Sequence, residues 1–251
     1  MPYGLYLSAA GANAQSHRLE VLSHNLANIN TAGFKPHLAM LQSLPTEAIA
    51  QGEATAGSGT IDDIGGGIAI KPTVTHFEQG AIRKTGTQSD FAINDNQSFF
   101  TVRDGQQELL TRAGNFIFDS QGRLVTPNGH EVVATGGGGI QIDPSRPFQV
   151  MDDGAVVQGG VRQMLRLVQP REMGDLSRVG ENLFESLTSV NEVPPGQRAV
   201  VSGALESSGV EPTGAMMQLI EASRVYEANV RMIQTQDDAM GQLISRVLRQ
   251  G

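Results

Sequence analysis

Apolar side chains recur every seven residues near the beginning of the chain. Such a repeat places side chains on one face of a helix, where they can pack against another helix. This row and a second one three positions on contribute Leu5, Ala12, Leu19, Leu22, Leu26 and Ile29. Gly33 follows the repeat, and glycine is the residue type that most often ends a helix. The sequence therefore predicts an N-terminal helix that ends just before Gly33.

The C-terminal segment carries the same repeat over a longer stretch. Pro212 suits the first turn of a helix, and residues 215–248 contain no helix breaker except the tolerated Gly241. The apolar members of the two rows are Met216, Leu219, Tyr226, Val230, Ile233, Met240, Ile244 and Val247. A helix of this length spans on the order of 50 Å. Because a small β domain cannot cover so long a surface, we expect the rows of both helices to form an assembly seam.

The middle of the chain has the pattern of short strands joined by tight turns. Runs of β-favouring residues occupy 91–93, 99–102 and 116–118. Turn-forming pairs that end in glycine are Asp104-Gly105, Gln121-Gly122, Asn128-Gly129 and Asp153-Gly154. The sequence therefore predicts an α+β protein, with a mainly β central domain and long N- and C-terminal α-helices. The predicted boundaries are 1–35 and 205–251 for the helical domain, 36–70 for a flexible connector and 71–204 for the β-rich domain.

Composition and charge exclude several classes of protein. The 251 residues include 18 basic and 26 acidic side chains, which gives a formal charge of −8 and predicts no nucleic-acid partner. Apolar runs are only a few residues long, whereas a membrane-spanning helix needs about 20, so no spanning segment is expected. The first residues lack the basic and then apolar order of a secretory signal peptide. Cys is absent, which removes disulfides, thiolate zinc sites and cysteine nucleophiles.

Candidate catalytic groups are scattered along the chain. The five His do not form a His-x-x-x-His pair with Glu, and no nucleophile elbow, phosphate loop or dinucleotide fingerprint occurs. Two acidic pairs, Asp62-Asp63 and Asp152-Asp153, lie close to glycines, so solvated turn acids are the simpler interpretation. The twelve-residue calcium loop is missing as well. We therefore predict no catalytic residue, no metal site and no cofactor, and a protein that is not an enzyme.

The most specific string in the chain runs from residue 19 to residue 35. Its characteristic residues are Asn25, Leu26, Ala27, Asn28, Thr31, Gly33, Phe34 and Lys35. This string resembles the N-terminal signature of the bacterial flagellar rod and hook proteins, in which Asn usually stands at the position of His24. Residues 78–93, 99–102, 111–116 and 203–210 resemble later segments of the same family in the same order. Residues 95–98 depart from the family, which usually has a Gly-x-Gly turn there.

This resemblance implies a structural subunit of the flagellar basal-body rod, the drive shaft that transmits motor torque. It implies that the terminal helices pair as an inner coiled-coil layer and that the β-rich domain lies outside. The implied partners are other copies of the chain, other axial rod and hook subunits, and the flagellar export apparatus. The implied location is the periplasmic rod, reached by type III export without a cleaved signal peptide.

Length and composition help to choose among the members of this family and among other classes of protein. Hook subunits usually carry a further β domain, for which 251 residues leave no room. The short region 36–75 favours the proximal over the distal rod protein. A hook-type axial subunit remains an alternative, as does a cytoplasmic coiled-coil scaffold, which would not explain the string at 25–35. A β-rich carbohydrate-active enzyme is a third alternative, but it would need aromatic platforms, and Trp is absent.

Overall fold

The computed structural model describes residues 3–53, 55, 65–143, 145–151 and 154–249. The predicted acidic pairs Asp62-Asp63 and Asp152-Asp153 lie outside these residues. None of the helices in the described ranges is both long and apolar enough to cross a membrane.

The chain forms two compact units, each assembled from segments that are distant in sequence. The helical unit comprises Met1–Ala27, His37–Thr75 and Pro212–Gly251, and the β unit comprises Asn28–Pro36 and His76–Glu211. These limits differ from the predicted ones. The β unit includes residues on both sides of the predicted 71–204 domain, and the helical unit includes most of the segment predicted as a connector.

The helical unit contains the two long helices and an antiparallel pair of strands. Its elements are α1 (Tyr3–Ala27), β1 (His37–Leu44), α2 (Glu47–Ala50), β2 (Gly67–Thr75) and α3 (Pro212–Arg249). The predicted C-terminal helix is confirmed, and it begins at Pro212, where a missing N–H is no loss. Helix α1 ends earlier than predicted, and turns follow it, so Ile29 lies beyond the helix instead of on its apolar row.

Helices α1 and α3 pack against each other in antiparallel orientation. A Cβ atom added at Gly4 would lie 3.1 Å from Nε2 of Gln236, and one added at Gly11 would lie 2.9 Å from Oδ1 of Asn229. A step of seven residues along α1 therefore matches the same step backwards along α3. Because the paired numbers add up to 240 in both cases, Tyr3 lies opposite position 237. Helix α3 continues past that point to Arg249.

The β unit is built from short strands. Its strands are β3 (Ile82–Lys84), β4 (Phe91–Ile93), β5 (Phe99–Asp104), β6 (Gln107–Thr111), β7 (Ile117–Phe118), β8 (Leu124–Val125), β9 (Glu131–Val132), β10 (Gln149–Val150), β11 (Ala155–Gln158), β12 (Val161–Met164), β13 (Leu167–Pro170), β14 (Leu176–Gly180), β15 (Leu183–Ser186), β16 (Val190–Glu192), β17 (Val200–Ser202) and β18 (Ala204–Glu206). The largest sheet has the order β14-β15-β6-β5-β9-β8-β7, and β13 joins β5 to β16. Smaller sheets are β10-β11-β12, β4 with β17, and β3 with β18.

Strands β5 and β6 form the centre of the β unit because both of their faces are buried. Phe100 and Leu109 belong to the larger core, whereas Phe99 and Leu110 belong to a smaller one. Successive residues of a strand face opposite sides of the sheet, so the two cores cover its two faces. The structure contains the strands predicted at 91–93, 99–102 and 116–118 as β4, β5 and β7.

The predicted turns adopt the backbone conformation that favours glycine. Gly105, Gly122, Gly129 and Gly154 have φ of 59°, 77°, 95° and 75°. Gly105 lies in the short connection between β5 and β6, whose register pairs Asp104 with Gln107. The glycine-containing pairs in the sequence therefore marked real turns.

Part of the predicted connector at 36–70 has regular structure. Strand β1 pairs with β2 in an antiparallel register that runs from His37–Thr75 to Leu44–Gly67, with an irregularity between Leu38 and Met40. Turn-forming residues could not reveal this pair, because residues 45–66 separate the two strands in the sequence.

Candidate assembly surface and buried ion cluster

The predicted apolar rows of α3 are buried to different extents. Leu219, Val230 and Ile233 are partly buried, whereas Tyr226 and Met240 are 36% and 40% exposed. Met216 and Ile244 are more than half exposed. The side chain of Val247 lies outside the described residues.

The most buried row of α3 is one that the hydrophobic pattern did not identify. Its members, spaced by seven residues, are Ala215, Ala222, Asn229 and Gln236. Ala222 is completely buried, and Asn229 and Gln236 are the residues that approach Gly11 and Gly4 of α1. Small side chains let two helices approach closely, so this row and not the row of Met216 faces α1. The signal available in the sequence was the seven-residue spacing of Ala215 and Ala222 in α3 and of Gly4 and Gly11 in α1.

The predicted row of α1 lies mostly in contact with other parts of the helical unit. Ala12 and Leu22 are buried, and Leu5, Leu19 and Leu26 are partly buried. The helix also buries Ser8, a polar member of the second predicted row, and three residues outside both rows, which are Ala14, Val21 and Asn25.

Helix α3 exposes many large apolar side chains. Those at least 40% exposed are Met216, Met217, Ile220, Val225, Met232, Met240, Leu243, Ile244 and Leu248. Four of them follow position 237, where α3 runs past the first described residue of α1. Contiguous exposed apolar surface commonly marks an interaction site.

The family-like string at 25–35 holds the end of α1 and the start of β1 together. The side-chain amide of Asn25 donates to the carbonyl oxygen of His37 at 2.7 Å, and the N–H of His37 donates to Oδ1 of Asn25 at 2.9 Å. Leu26 and Ala27 complete the helix. In the turn that follows, the Thr31 hydroxyl donates to Oδ1 of Asn28 at 3.2 Å.

Gly33 and Phe34 are packed inside the β unit. Gly33 has a φ of 63°, and its N–H donates to the carbonyl oxygen of Glu206 at 2.8 Å. A Cβ atom at Gly33 would overlap the backbone of Arg112. The Phe34 ring is 2% exposed and lies 4.8 Å from the guanidinium of Arg178. The glycine is therefore required both by the backbone conformation and by the lack of space.

Lys35 forms a buried ion pair with Glu206. Its Nζ lies 2.6 Å from Oε1 of Glu206 and donates to the carbonyl oxygen of Glu78 at 2.8 Å. The two side chains are 0% and 1% exposed. The N–H of Gly80 donates to the same carboxylate oxygen at 2.9 Å.

Arg112 is the second cation at this carboxylate. Its Nη1 lies 3.6 Å from Oε2 of Glu206 and donates to the carbonyl oxygen of Asp95 at 2.6 Å. The Asp95 carboxylate accepts the N–H groups of Gln97 and Ser98 at 2.7 and 2.6 Å. This explains how residues 95–98 turn without the family's glycines, because the Asp95 side chain replaces them in holding the turn.

Burial dominates the electrostatics of the cluster. It lowers the pKa of Lys35, although the nearby Glu206 carboxylate raises that pKa and Arg112 lowers it further. Burial also lowers the pKa of Arg112, and Glu206 and Asp95 oppose that shift. One buried carboxylate thus serves two buried cations, and this cluster joins four segments that resemble the same family. Lys35, Arg112 and Glu206 lie in separate family-like segments of the sequence, and no pattern in the sequence linked them.

The geometry of the cluster is that of a structural element. Its ionised groups are enclosed and bind one another and the backbone. In the part of the chain that the structure describes, no group of three or more His, Cys, Asp or Glu side chains is placed to hold a metal ion. Buried charges tie the β unit together and the helical unit has an exposed apolar surface, but these two features do not by themselves identify the class of protein.

Comparison with known families identifies that class. Residues 5–35 match the profile "Flagella basal body rod protein", residues 92–158 match "Flagellar hook protein FlgE/F/G D1 domain", and residues 201–246 match "Flagellar basal body rod FlgEFG protein C-terminal". Lys35 lies at the end of the first match, Arg112 in the second and Glu206 in the third.

Individual relatives agree with these matches. The flagellar basal-body rod protein FlgF of Caulobacter vibrioides is 34% identical, over 93% of this chain and 93% of the relative. FlgG of Bacillus subtilis is 31% identical over 96% and 97%, and FlgG of C. vibrioides is 31% identical over 94% and 96%. The chain belongs to the flagellar basal-body rod protein family.

Proposed function

We propose that this protein is a structural subunit of the bacterial flagellar basal-body rod and that it assembles through its terminal helices. The observation that carries this proposal is the exposed apolar surface of α3, which continues past α1 at Met240, Leu243, Ile244 and Leu248. The relatives that are about 30% identical to this chain over nearly their whole length are named rod proteins. Assembly would bury this surface against neighbouring subunits.

In the proposed rod, α1 and α3 form a coiled-coil layer. Their antiparallel contact in one subunit supports this arrangement, and the seam residues exposed in the single chain would complete it between subunits. The proposed partners are further copies of the chain and other axial rod and hook subunits. The proposed route is export through the flagellar type III apparatus to the periplasmic rod.

Within the family, we favour the proximal rod protein of the FlgF type. The two C. vibrioides relatives allow a comparison within one organism, and FlgF is 34% identical whereas FlgG is 31% identical. Electron microscopy of basal bodies from a deletion strain tests this assignment. Loss of a proximal subunit should leave the inner membrane ring and export apparatus without a rod, whereas loss of a distal subunit should leave a short rod.

Assembly through α3 is tested with a matched pair of variants near its end. Ile244→Asp places a charge on an apolar position that is 56% exposed, and Gln242→Asp places the same charge on an exposed polar position. Both variants should fold like the wild type by circular dichroism because neither site is buried. Strains with Ile244→Asp should lack complete rods and not swim, whereas strains with Gln242→Asp should swim. Normal rods built from Ile244→Asp and from Leu248→Asp would contradict the proposal.

A further inference from the structure

A polar groove of about 550 Å³ lies in the β unit beside the turns that follow α1, within the N-terminal motif. One wall is formed by residues 29–32, and the other by Arg83 of β3 and residues 205–208 at the end of β18. Arg83 and Leu205 are paired across the two strands, which fixes Arg83 on the groove side of β3. Asn115 completes the lining.

The groove contains polar groups that are not used within the chain. Among the described residues, the side chains of Arg83, Asn30, Asn115 and Ser207 have no hydrogen-bond or ion-pair partner. Glu206 also lines the groove, but its Oε1 accepts from Lys35 and from the N–H of Gly80, and its Oε2 lies 3.6 Å from Nη1 of Arg112 without a hydrogen bond. The groove therefore presents one uncompensated positive charge together with amide and hydroxyl donors. This combination suits a carboxylate, which guanidinium groups bind in a planar, two-point geometry.

We propose that the groove binds the carboxylates of Asp237 and Asp238 from a second copy of the chain. This inference rests on the proposed rod function and adds a specific subunit contact to it. A contact between two different surfaces of identical subunits is heterologous, and repeated heterologous contacts build open helical filaments. A groove on the β unit and an acidic site on α3 provide two such surfaces.

The acidic pair is chosen for its charge and its position. Asp237 and Asp238 are adjacent, both are exposed, and neither has an ion-pair partner among the described residues. Glu227 of the same helix, in contrast, lies 3.3 Å from Arg231. The pair lies where α3 runs past the beginning of α1, so that this stretch of helix can reach a neighbouring subunit. The polar lining also argues against a small apolar ligand, whose sites are lined mainly by hydrophobic side chains.

Cysteine cross-linking tests the contact directly because the natural chain contains no Cys. In basal bodies isolated from a Ser207→Cys and Asp238→Cys double variant, mild oxidation should produce covalent multimers of this chain. The matched control is Lys84→Cys with Asp238→Cys, because the side chain after Arg83 in strand β3 faces away from the groove. Neither the control nor the single-cysteine variants should form multimers. The proposal is overturned if rods assemble but oxidation produces no multimers. It is also overturned if the control variant cross-links equally well, or if the only cross-linked products contain another protein.

A charge exchange gives a second, independent measurement. Arg83 is exposed, so Arg83→Glu should fold normally by circular dichroism and abolish swimming. Swimming should also be lost with Asp237→Lys and Asp238→Lys, and it should return when all three changes are combined. Normal swimming of Arg83→Glu, or no recovery in the combined variant, would overturn the contact. Failure here leaves the rod function intact if Ile244→Asp still blocks assembly, so the two proposals fail separately.

Discussion

Replacing Lys35 with Met is expected to destabilise the β unit by about 3 kcal/mol. Removing one partner of a buried ion pair typically costs about 3–5 kcal/mol because the remaining charge is left without compensation. We expect a cost at the lower end of this range, because the Glu206 carboxylate still contacts the N–H of Gly80 at 2.9 Å and Nη1 of Arg112 at 3.6 Å. Because Met fills a volume similar to that of Lys, the loss of stability reports mainly on the removal of the Lys35 charge.

The companion change Glu206→Gln should cost more, about 5 kcal/mol, because two buried cations lose their shared anion. The variant with both changes should be less damaging than the sum of the two single changes, because the second change removes the charge that the first leaves without a partner. We expect a coupling of about 1–3 kcal/mol. Arg146→Met is the control, since its ion pair with Asp143 is exposed on both sides. Such pairs contribute little, and we expect no measurable effect.

The assay is urea unfolding followed by two signals. The strand signal is near-ultraviolet circular dichroism in the phenylalanine bands, because all nine Phe lie in the β unit. The tyrosine signal is fluorescence, which reports on the helical unit because Tyr3, Tyr6 and Tyr226 all lie in α1 and α3 and Trp is absent. The Lys35 and Glu206 variants should shift the strand signal more than the tyrosine signal. An unchanged strand midpoint for Lys35→Met, or fully additive costs, would refute the view that the cluster stabilises the β unit.

Three further predictions concern packing and titration. Gly33→Ala should lower the free energy of unfolding in urea by about 3 kcal/mol, because the new methyl group overlaps the backbone of Arg112. The control is Gly105→Ala, which should cost about 1 kcal/mol because Gly105 has a similar φ but open space around it. Equal costs would contradict this prediction. Ala222→Leu should destabilise the helical unit by about 1–3 kcal/mol in the tyrosine signal, and the exposed Ala228→Leu should not. Because burial lowers the pKa of Lys35 below 10.5, the folded state releases this proton first, and the stability of the wild type relative to Lys35→Met should rise with pH as pH approaches 10.5. Urea midpoints measured at increasing pH test the sign, and a falling difference would exclude it.

The features that were predictable from the sequence are those specified by neighbouring residues. The start of α3 at Pro212 and the turns at Gly105 and Gly129 follow from backbone preferences of single residue types. The strands at 91–93 and 99–102 follow from short runs of β-favouring residues. In each case the information lies within a few positions, so tertiary contacts were not needed.

The helix contact was harder to predict because hydrophobicity does not identify it. Both the row of Met216 and the row of Ala222 keep a spacing of three and four residues relative to Leu219, so either could face α1. The apolar row is the obvious choice, yet the structure buries the small and polar row. Close approach at Gly4 and Gly11 decides between the rows, and that is a property of the pair of helices.

The ion cluster could not be predicted from any one segment. Charged residues are normally solvated, and nothing local distinguishes a buried Lys from an exposed one. One signal was available, since Lys35 is the only Lys, Arg, Asp or Glu between Glu20 and Glu47, and Glu206 is the only one between Arg198 and Glu211. A single charge in a long uncharged stretch is therefore a candidate for burial, although its partner cannot be read from the sequence.

The position of the cluster relates the two ends of the chain to each other. Lys35 and Glu206 are separated by 171 residues, and closing a flexible loop of that length costs roughly 4–5 kcal/mol of chain entropy in addition to a constant. Beyond the ion pair, the N–H of Gly33 donates to Glu206 and the N–H of Gly209 donates to Phe34, so residues 28–36 run alongside residues 205–211. Helix α1 ends at Ala27 and α3 begins at Pro212, immediately outside these two stretches. The same contacts that close the β unit therefore bring the connections to both helices together, which lowers the entropy cost of pairing α1 with α3.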